Sequence, residues 1–162
     1  MAREKHEKTN AMRILDRMKL PYEPLSYPCE EFLDGMAVAK LLGQPPERVC
    51  KTLVTVGKSG GHYVFVLPVG EEIDRKKAAA AVGEKSLELL PVKELFALTG
   101  YIRGGCTALG MKKQFPTVID ASARRWETIF VSGGKRGLQL CLSPEDLRKA
   151  SGGRFADLLK ES

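Results

Sequence analysis

Two stretches of the chain join paired glycines to paired basic residues. The first is Gly104-Gly105-Cys106-Thr107-Ala108-Leu109-Gly110-Met111-Lys112-Lys113, and the second is Ser132-Gly133-Gly134-Lys135-Arg136-Gly137. Glycine lets backbone amides approach a ligand closely, and a cation at the loop exit favours an anion. Neither loop passes the familiar nucleotide tests. A Walker loop needs Lys directly after its last Gly, then Ser or Thr for magnesium; here Met111 intervenes and Gln114 follows Lys113. A dinucleotide fingerprint needs GxGxxG opening a helix after a strand, and that spacing is absent. ATP and NAD are therefore poor ligands for this chain. Each loop taken singly reads as a tight turn with a solvated basic flank. Two of them in a chain of net charge +6 shift the reading toward an anionic ligand.

Nucleophiles and metal ligands are sparse. Cys29, Cys50, Cys106 and Cys141 are far apart and contain no CxxC pair, and His6 and His62 stand alone. Free thiols are expected in a chain of this size, with no disulfide framework and no metal site. No Ser-His-Asp set is evident. A cysteine nucleophile would need a nearby base and a lowered thiol pKa, and Cys106 is the one thiol within a glycine loop.

These loops need a scaffold, and hydrophobic spacing outlines one. Ala11, Ile14, Leu15 and Met18 follow a helical period behind an N-cap at Thr9 or Asn10, and Leu20-Pro21 ends that helix. An extended piece spans Tyr22 to Tyr27. A helix from Met36 to Leu42 closes at Gly43, before Pro45-Pro46. Cys50 to Val56 and His62 to Val66 make a hairpin across Gly57-Lys58-Ser59-Gly60-Gly61. Asp74 caps a helix reaching Val82, Ser86 to Leu90 is a strand, and Pro91 opens a helix ending near Gly100. Tyr101-Ile102, Thr117 to Ile119, Thr128 to Val131 and Leu138 to Leu142 read as short strands. Ser143-Pro144-Glu145-Asp146 starts a last helix. Steady βαβ alternation is missing. The expected fold class is therefore α+β (mixed α/β): a curled, largely antiparallel or mixed β-sheet, or barrel, of about seven strands with flanking short helices.

Composition sets the outer bounds. At 162 residues, with 43% hydrophobic and 28% charged residues, the chain is globular and reads as one domain over residues 1–162. No apolar run is long enough to span a membrane, and the charged start is unlike a secretory signal, so a cytoplasmic location is expected.

Four segments, in order, resemble the YbaK family. They are Val49-Cys50-Lys51-Thr52-Leu53-Val54; Gly100-Tyr101 through Gly110-Met111-Lys112-Lys113; Phe115-Pro116-Thr117-Val118-Ile119-Asp120; and Val131-Ser132-Gly133-Gly134-Lys135-Arg136-Gly137. The family comprises bacterial Cys-tRNA(Pro) deacylases related to the editing domain inserted in many bacterial prolyl-tRNA synthetases. The likeness runs from about Asn10 to Leu159. It implies a barrel-like mixed sheet, no metal or organic cofactor, and removal of cysteine wrongly attached to proline tRNA. A synthetase gains only ~1–3 kcal/mol from one methylene-sized contact, so a smaller amino acid slips through and a second pocket must clear it.

The resemblance also assigns roles. Lys51 matches the family's essential lysine, which would hold the terminal adenosine's phosphate or ribose and stabilise charge growing on the ester carbonyl. Tyr27, Thr52, Gly104, Gly105, Cys106, Thr107, Ser132, Gly133 and Gly134 are expected to line the substrate site. Lys112, Lys113, Lys135 and Arg136 are expected to contact the tRNA acceptor end, with prolyl-tRNA synthetase as a further partner. The family mechanism needs no protein nucleophile, because the substrate's own thiol attacks its ester carbonyl. Three positions depart from the pattern: Thr107 replaces Ser, Ala108 replaces Pro, and Gln139 stands where an acid is common. Rival readings are an Ala-tRNA(Pro) deacylase and a non-catalytic tRNA- or synthetase-binding module with a decayed pocket.

Overall fold

The computed structural model describes residues 8–161. Helix α1 spans Asn10–Arg17, with the Thr9 side chain accepting from the Met12 amide. Strand β1 spans Glu23–Ser26, helix α2 Gly35–Leu42, strand β2 Cys50–Gly57 and strand β3 His62–Pro68. Helix α3 (Arg75–Val82), strand β4 (Leu87–Leu89) and helix α4 (Val92–Thr99) follow. After the first glycine loop come β5 (Thr117–Asp120), β6 (Ile129–Ser132), β7 (Leu138–Leu142), α5 (Pro144–Ser151) and β8 (Arg154–Ala156).

The strands make two sheets. A three-stranded antiparallel sheet has the order β1-β7-β6, and a five-stranded mixed sheet has the order β4-β2-β3-β5-β8. In the larger sheet β4, β2 and β3 pair antiparallel, whereas β3–β5 and β5–β8 are parallel. One parallel bridge, Val49 to Phe130, joins the sheets. No closed barrel forms among the described residues, so the barrel expectation gives way to two linked sheets.

The sequence of β3 shows how the core is divided. Its side chains alternate between sheet faces. Val64 and Val66 enter the main cluster with Val54, Ile119, Ile129, Val131, Leu140 and Leu142, which draws from both sheets. Phe65 and Leu67 enter a second cluster with Val118, Leu158 and the α3 residues Ala78 and Ala79. A strand buried on both faces must be apolar throughout, and this one is. A third cluster of Ala39, Val49, Val69 and Phe130 seats α2 over the junction of the sheets.

Several local expectations need correction. Tyr101-Ile102 is not a strand: Tyr101 is buried in a loop, its hydroxyl donating to the Leu109 carbonyl at 2.6 Å, so burial and not pairing explains the tyrosine, while Ile102 is exposed. Met18 is 44% exposed at the C-cap of α1, and Met12 is buried in its place beside Ala11 and Leu15. The helix stops at Arg17 because Lys19 turns left-handed (φ 59°). His62 begins β3, as the spacing predicts, though the strand runs on past Val66 to Pro68; the His62 ring stacks at a tilt on Phe115, 5.5 Å between centroids. Strand β8 had no clear signal, since Arg154-Phe155-Ala156 is one exposed and two half-buried residues after a glycine pair.

Candidate active site

The junction of the two sheets opens into a cavity of about 450 Å³, within the usual size range of small-ligand sites. One wall is the start of β2: Cys50, Lys51, Thr52 and Leu53. Pro45-Pro46 begins a short 3₁₀ turn ending at Arg48, and the Val49 bridge then sets the strand's entry. A second wall comes from Ser132 on β6 and Gln139 on β7, which face each other in register. The segment Phe32–Met36 leading into α2 and the loop residues Arg103, Gly104 and Cys106 complete the rim.

The glycine loops lock together beside this cavity. A Cβ on Gly105 would lie 2.7 Å from the Lys135 Cα, so only glycine lets the loops approach this closely. The Ser132 hydroxyl donates to the Gly104 carbonyl at 3.3 Å, tying β6 to the first loop. Arg136 Nε donates to the Arg103 carbonyl at 2.9 Å, tying the second loop back.

Of the expected substrate-site residues, Lys51, Thr52, Gly104, Cys106 and Ser132 line the cavity. Gly105, Thr107, Gly133 and Gly134 do not; they support it from behind. Gly133 is packed beneath Leu138, and Gly134 (φ 105°) rests against Thr9 and Tyr101. Thr107 is fully buried with no hydrogen-bond partner for its hydroxyl among the described residues. Tyr27 is half-buried, with its amide donating to the Gly137 carbonyl at 2.9 Å. Burial raises the Tyr27 pKa, and a side-chain hydrogen bond with Gln139 works the other way. Tyr27 does not line the cavity, whereas Gln139 reaches it while only 5% exposed, its Oε1 without a hydrogen-bond partner among the described residues. Ala108 is buried and absent from the wall, so the departure at that position lies behind the pocket surface.

The expected tRNA-contact residues are dispersed. Lys112 lies over the Phe96 ring at 5.3 Å and Lys113 over Phe115 at 5.9 Å, while Arg136 sits near Phe32 at the cavity. Lys135 is exposed. Phe32, Arg103 and the apolar lining of Val38, Val69 and Leu95 were not anticipated, because their separation in sequence gives no spacing signal.

The electrostatics favour a fixed cation over a thiolate. Lys51 is half-buried and makes no hydrogen bond or ion pair among the described residues. Burial lowers its pKa from the ordinary lysine value, with the charges of Glu72 and Glu71 partly opposing the shift. Burial pushes the Cys106 thiol up to about 12, with the Thr99 hydroxyl working the other way. Cys50 is likewise pushed to about 12 by burial, with the Asp120 charge adding to it. Neither thiol is poised to attack at neutral pH. Among the described residues, no group of three or more His, Cys, Asp and Glu side chains is placed to hold a metal ion. The arrangement can bind a small polar group beside an ammonium and stabilise negative charge developing on an oxygen.

Comparison with known proteins agrees with this geometry. Residues 32–150 match the aminoacyl-tRNA editing domain family. The chain is 46% identical over 160 residues to "Putative Cys-tRNA(Pro)/Cys-tRNA(Cys) deacylase EbsC" of Enterococcus faecalis, covering 98% of each protein. It is 29% identical over 114 residues to the uncharacterized protein YwhH of Bacillus subtilis, covering 70% of this chain and 71% of that one. A solved structure described as "a putative trans-editing enzyme for prolyl tRNA synthetase" superposes with a TM-score of 0.80 at 23% identity, over 96% of this chain and all of that one, a likeness of fold. By the family match over residues 32–150 and the 46% identity over nearly its whole length, the chain belongs to the aminoacyl-tRNA editing domain family of YbaK type.

Proposed function

We propose that this protein is a trans-editing deacylase that clears cysteine from mischarged proline tRNA. The observation that carries this reading is Lys51, an ammonium with no hydrogen-bond or ion-pair partner among the described residues, in a cavity walled by a glycine loop. The full-length likeness to a protein named for Cys-tRNA(Pro) and Cys-tRNA(Cys) supports the substrate class.

The chemistry follows from what the site holds. The substrate's thiol sulfur attacks its own ester carbonyl, and a C–S bond forms as the carbonyl oxygen takes up negative charge. Lys51 stabilises that oxyanion, with Gly104 leaving the approach open. The bond from carbon to the ribose oxygen then breaks. The thiol proton passes to that oxygen, freeing tRNA and a four-membered thiolactone that water opens to cysteine. The nucleophile is tethered and the ester is activated, so positioning carries the step. The two buried thiols of the site remain protonated spectators.

In this reading residues 1–162 act as one editing domain, in the cytoplasm and without a cofactor; no helix among the described residues is long and apolar enough to cross a membrane. The acceptor end of proline tRNA is the ligand, and prolyl-tRNA synthetase is the partner that releases mischarged product nearby. Deacylation of cysteine-, alanine- and serine-charged proline tRNA tests it. Rapid loss of cysteine with slow loss of serine and alanine is expected. Equal rates on all three would overturn the thiol-assisted mechanism, and no cleavage of any would overturn the enzyme reading.

A further inference from the structure

Phe32 carries two arginines on one ring at the cavity rim. The Arg103 guanidinium lies 4.1 Å from the ring centroid and that of Arg136 lies 5.9 Å away. Like charges gathered on one ring repel each other, and the ring quadrupole offsets only part of that repulsion. Among the described residues no carboxylate pairs with either arginine. The one hydrogen bond either guanidinium donates among them is Arg136 Nε to the Arg103 carbonyl. Arg136 thus keeps its two terminal nitrogens free, and Arg103 keeps its whole donor fork.

The pair is built, not scattered. Gly104 sits between its members: a Cβ there would lie 3.2 Å from both Arg136 Nε and Phe32 Cδ1. The contact of the glycine loops therefore fixes the spacing of the arginines, and both gather around the Phe32 ring at the mouth. Lys51 stands apart as the half-buried cation of the wall, whereas Arg103 is exposed at the rim. Two positive sites at different depths suit a ligand with charge at two places.

We propose that Arg103 and Arg136 form a phosphate clamp for the phosphodiester immediately preceding the terminal aminoacylated nucleoside. The clamp rests on the deacylase reading. It leaves Lys51 to the ester and gives the non-bridging phosphate oxygens to guanidinium forks, whose planar donors match them. Phe32 holds the forks in place.

The test compares two minimal substrates, the 3′-cysteinyl ester of adenosine and the same ester of adenosine 5′-monophosphate. Wild-type enzyme should favour the phosphorylated ester in kcat/KM by about 10- to 100-fold, the range for hydrogen bonds to a charged group. Arg103→Gln and Arg136→Gln should each cut that ratio several-fold, Arg103→Lys should keep part of it, and added salt should narrow it in the wild type. The ratio is read within each variant, so partial loss of folded protein does not mimic the result. Wild-type enzyme that cleaves cysteinyl-tRNA(Pro) yet shows no preference between the esters overturns the clamp alone, as does an unchanged ratio in the arginine variants. Wild-type enzyme inert toward cysteinyl-tRNA(Pro) overturns the deacylase reading and the clamp with it.

Discussion

A lysine held half out of water and without an ion pair among the described residues is poor for stability and useful for catalysis. Lys51→Ala should abolish deacylation in a folded protein, at a cost of about 3 kcal/mol or more in transition-state stabilisation; near-normal turnover would refute its role. The sign of its pKa shift gives two further outcomes. The ammonium is the working form, so activity should fall with rising pH earlier than an ordinary lysine at 10.5 would allow, and residual activity in Lys51→Arg should lack that falling limb. The folded-state pKa lies below the unfolded one, so the charged lysine works against folding at neutral pH, and that penalty fades as pH rises toward 10.5. Lys51→Met should therefore melt at or above the wild-type temperature at pH 7, with the gap closing in alkali. A lower melting temperature would show that Lys51 has a stabilising partner. The thiols give the complementary test. Combined Cys29→Ser, Cys50→Ala, Cys106→Ala and Cys141→Ser should leave cleavage of cysteinyl-tRNA largely unchanged. Alanine is chosen where Cys50 and Cys106 are buried, since an unpaired hydroxyl there costs stability. Cys141 is only partly buried, so serine is tolerable there. Selective inactivation by Cys106→Ala would make this a protein-thiol hydrolase.

Elements that announce themselves by local chemistry were the legible ones. Asp74 and Ser143 cap α3 and α5 through their side chains, and Gly43, Gly83 and Gly152 close α2, α3 and α5 in the left-handed region. The β2–β3 hairpin is equally local, its turn closed by Gly57 donating to Gly61 at 2.8 Å. What sequence could not show was long-range pairing. The parallel β3–β5 and β5–β8 contacts depend on packing between distant segments, and Arg103 meets Phe32 only because the loops fold together. Lys51 and the glycine loops were legible through resemblance; the cavity's apolar lining was not. The loop contact is the element-scale feature most open to test. Gly105→Ala places a Cβ against the Lys135 backbone, which cannot rotate aside. It should destabilise by about 1–3 kcal/mol in denaturant unfolding and lower deacylation. Full activity and unchanged stability would show that the loops need not touch.

Across the whole molecule, a net charge of +6 is small for an RNA ligand, and the basic residues near the site are few. Binding of uncharged proline tRNA should be weak and should weaken further with salt, with a log–log slope matching only a few phosphates. Affinity that stays flat from low to physiological salt would remove Lys112, Lys113, Lys135 and Arg136 from the contact set. The two sheets carry a further implication. Lys51 belongs to the five-stranded sheet, Ser132 and Gln139 to the three-stranded one, and the bridge at Val49 and Phe130 is a shared backbone seam. Such a seam makes the site modular. In the proposed deacylation, substitutions confined to the cavity-facing Ser132 and Gln139 would reshape one wall while Lys51 stays on the other. A lineage altering its choice of acyl group can therefore do so one wall at a time.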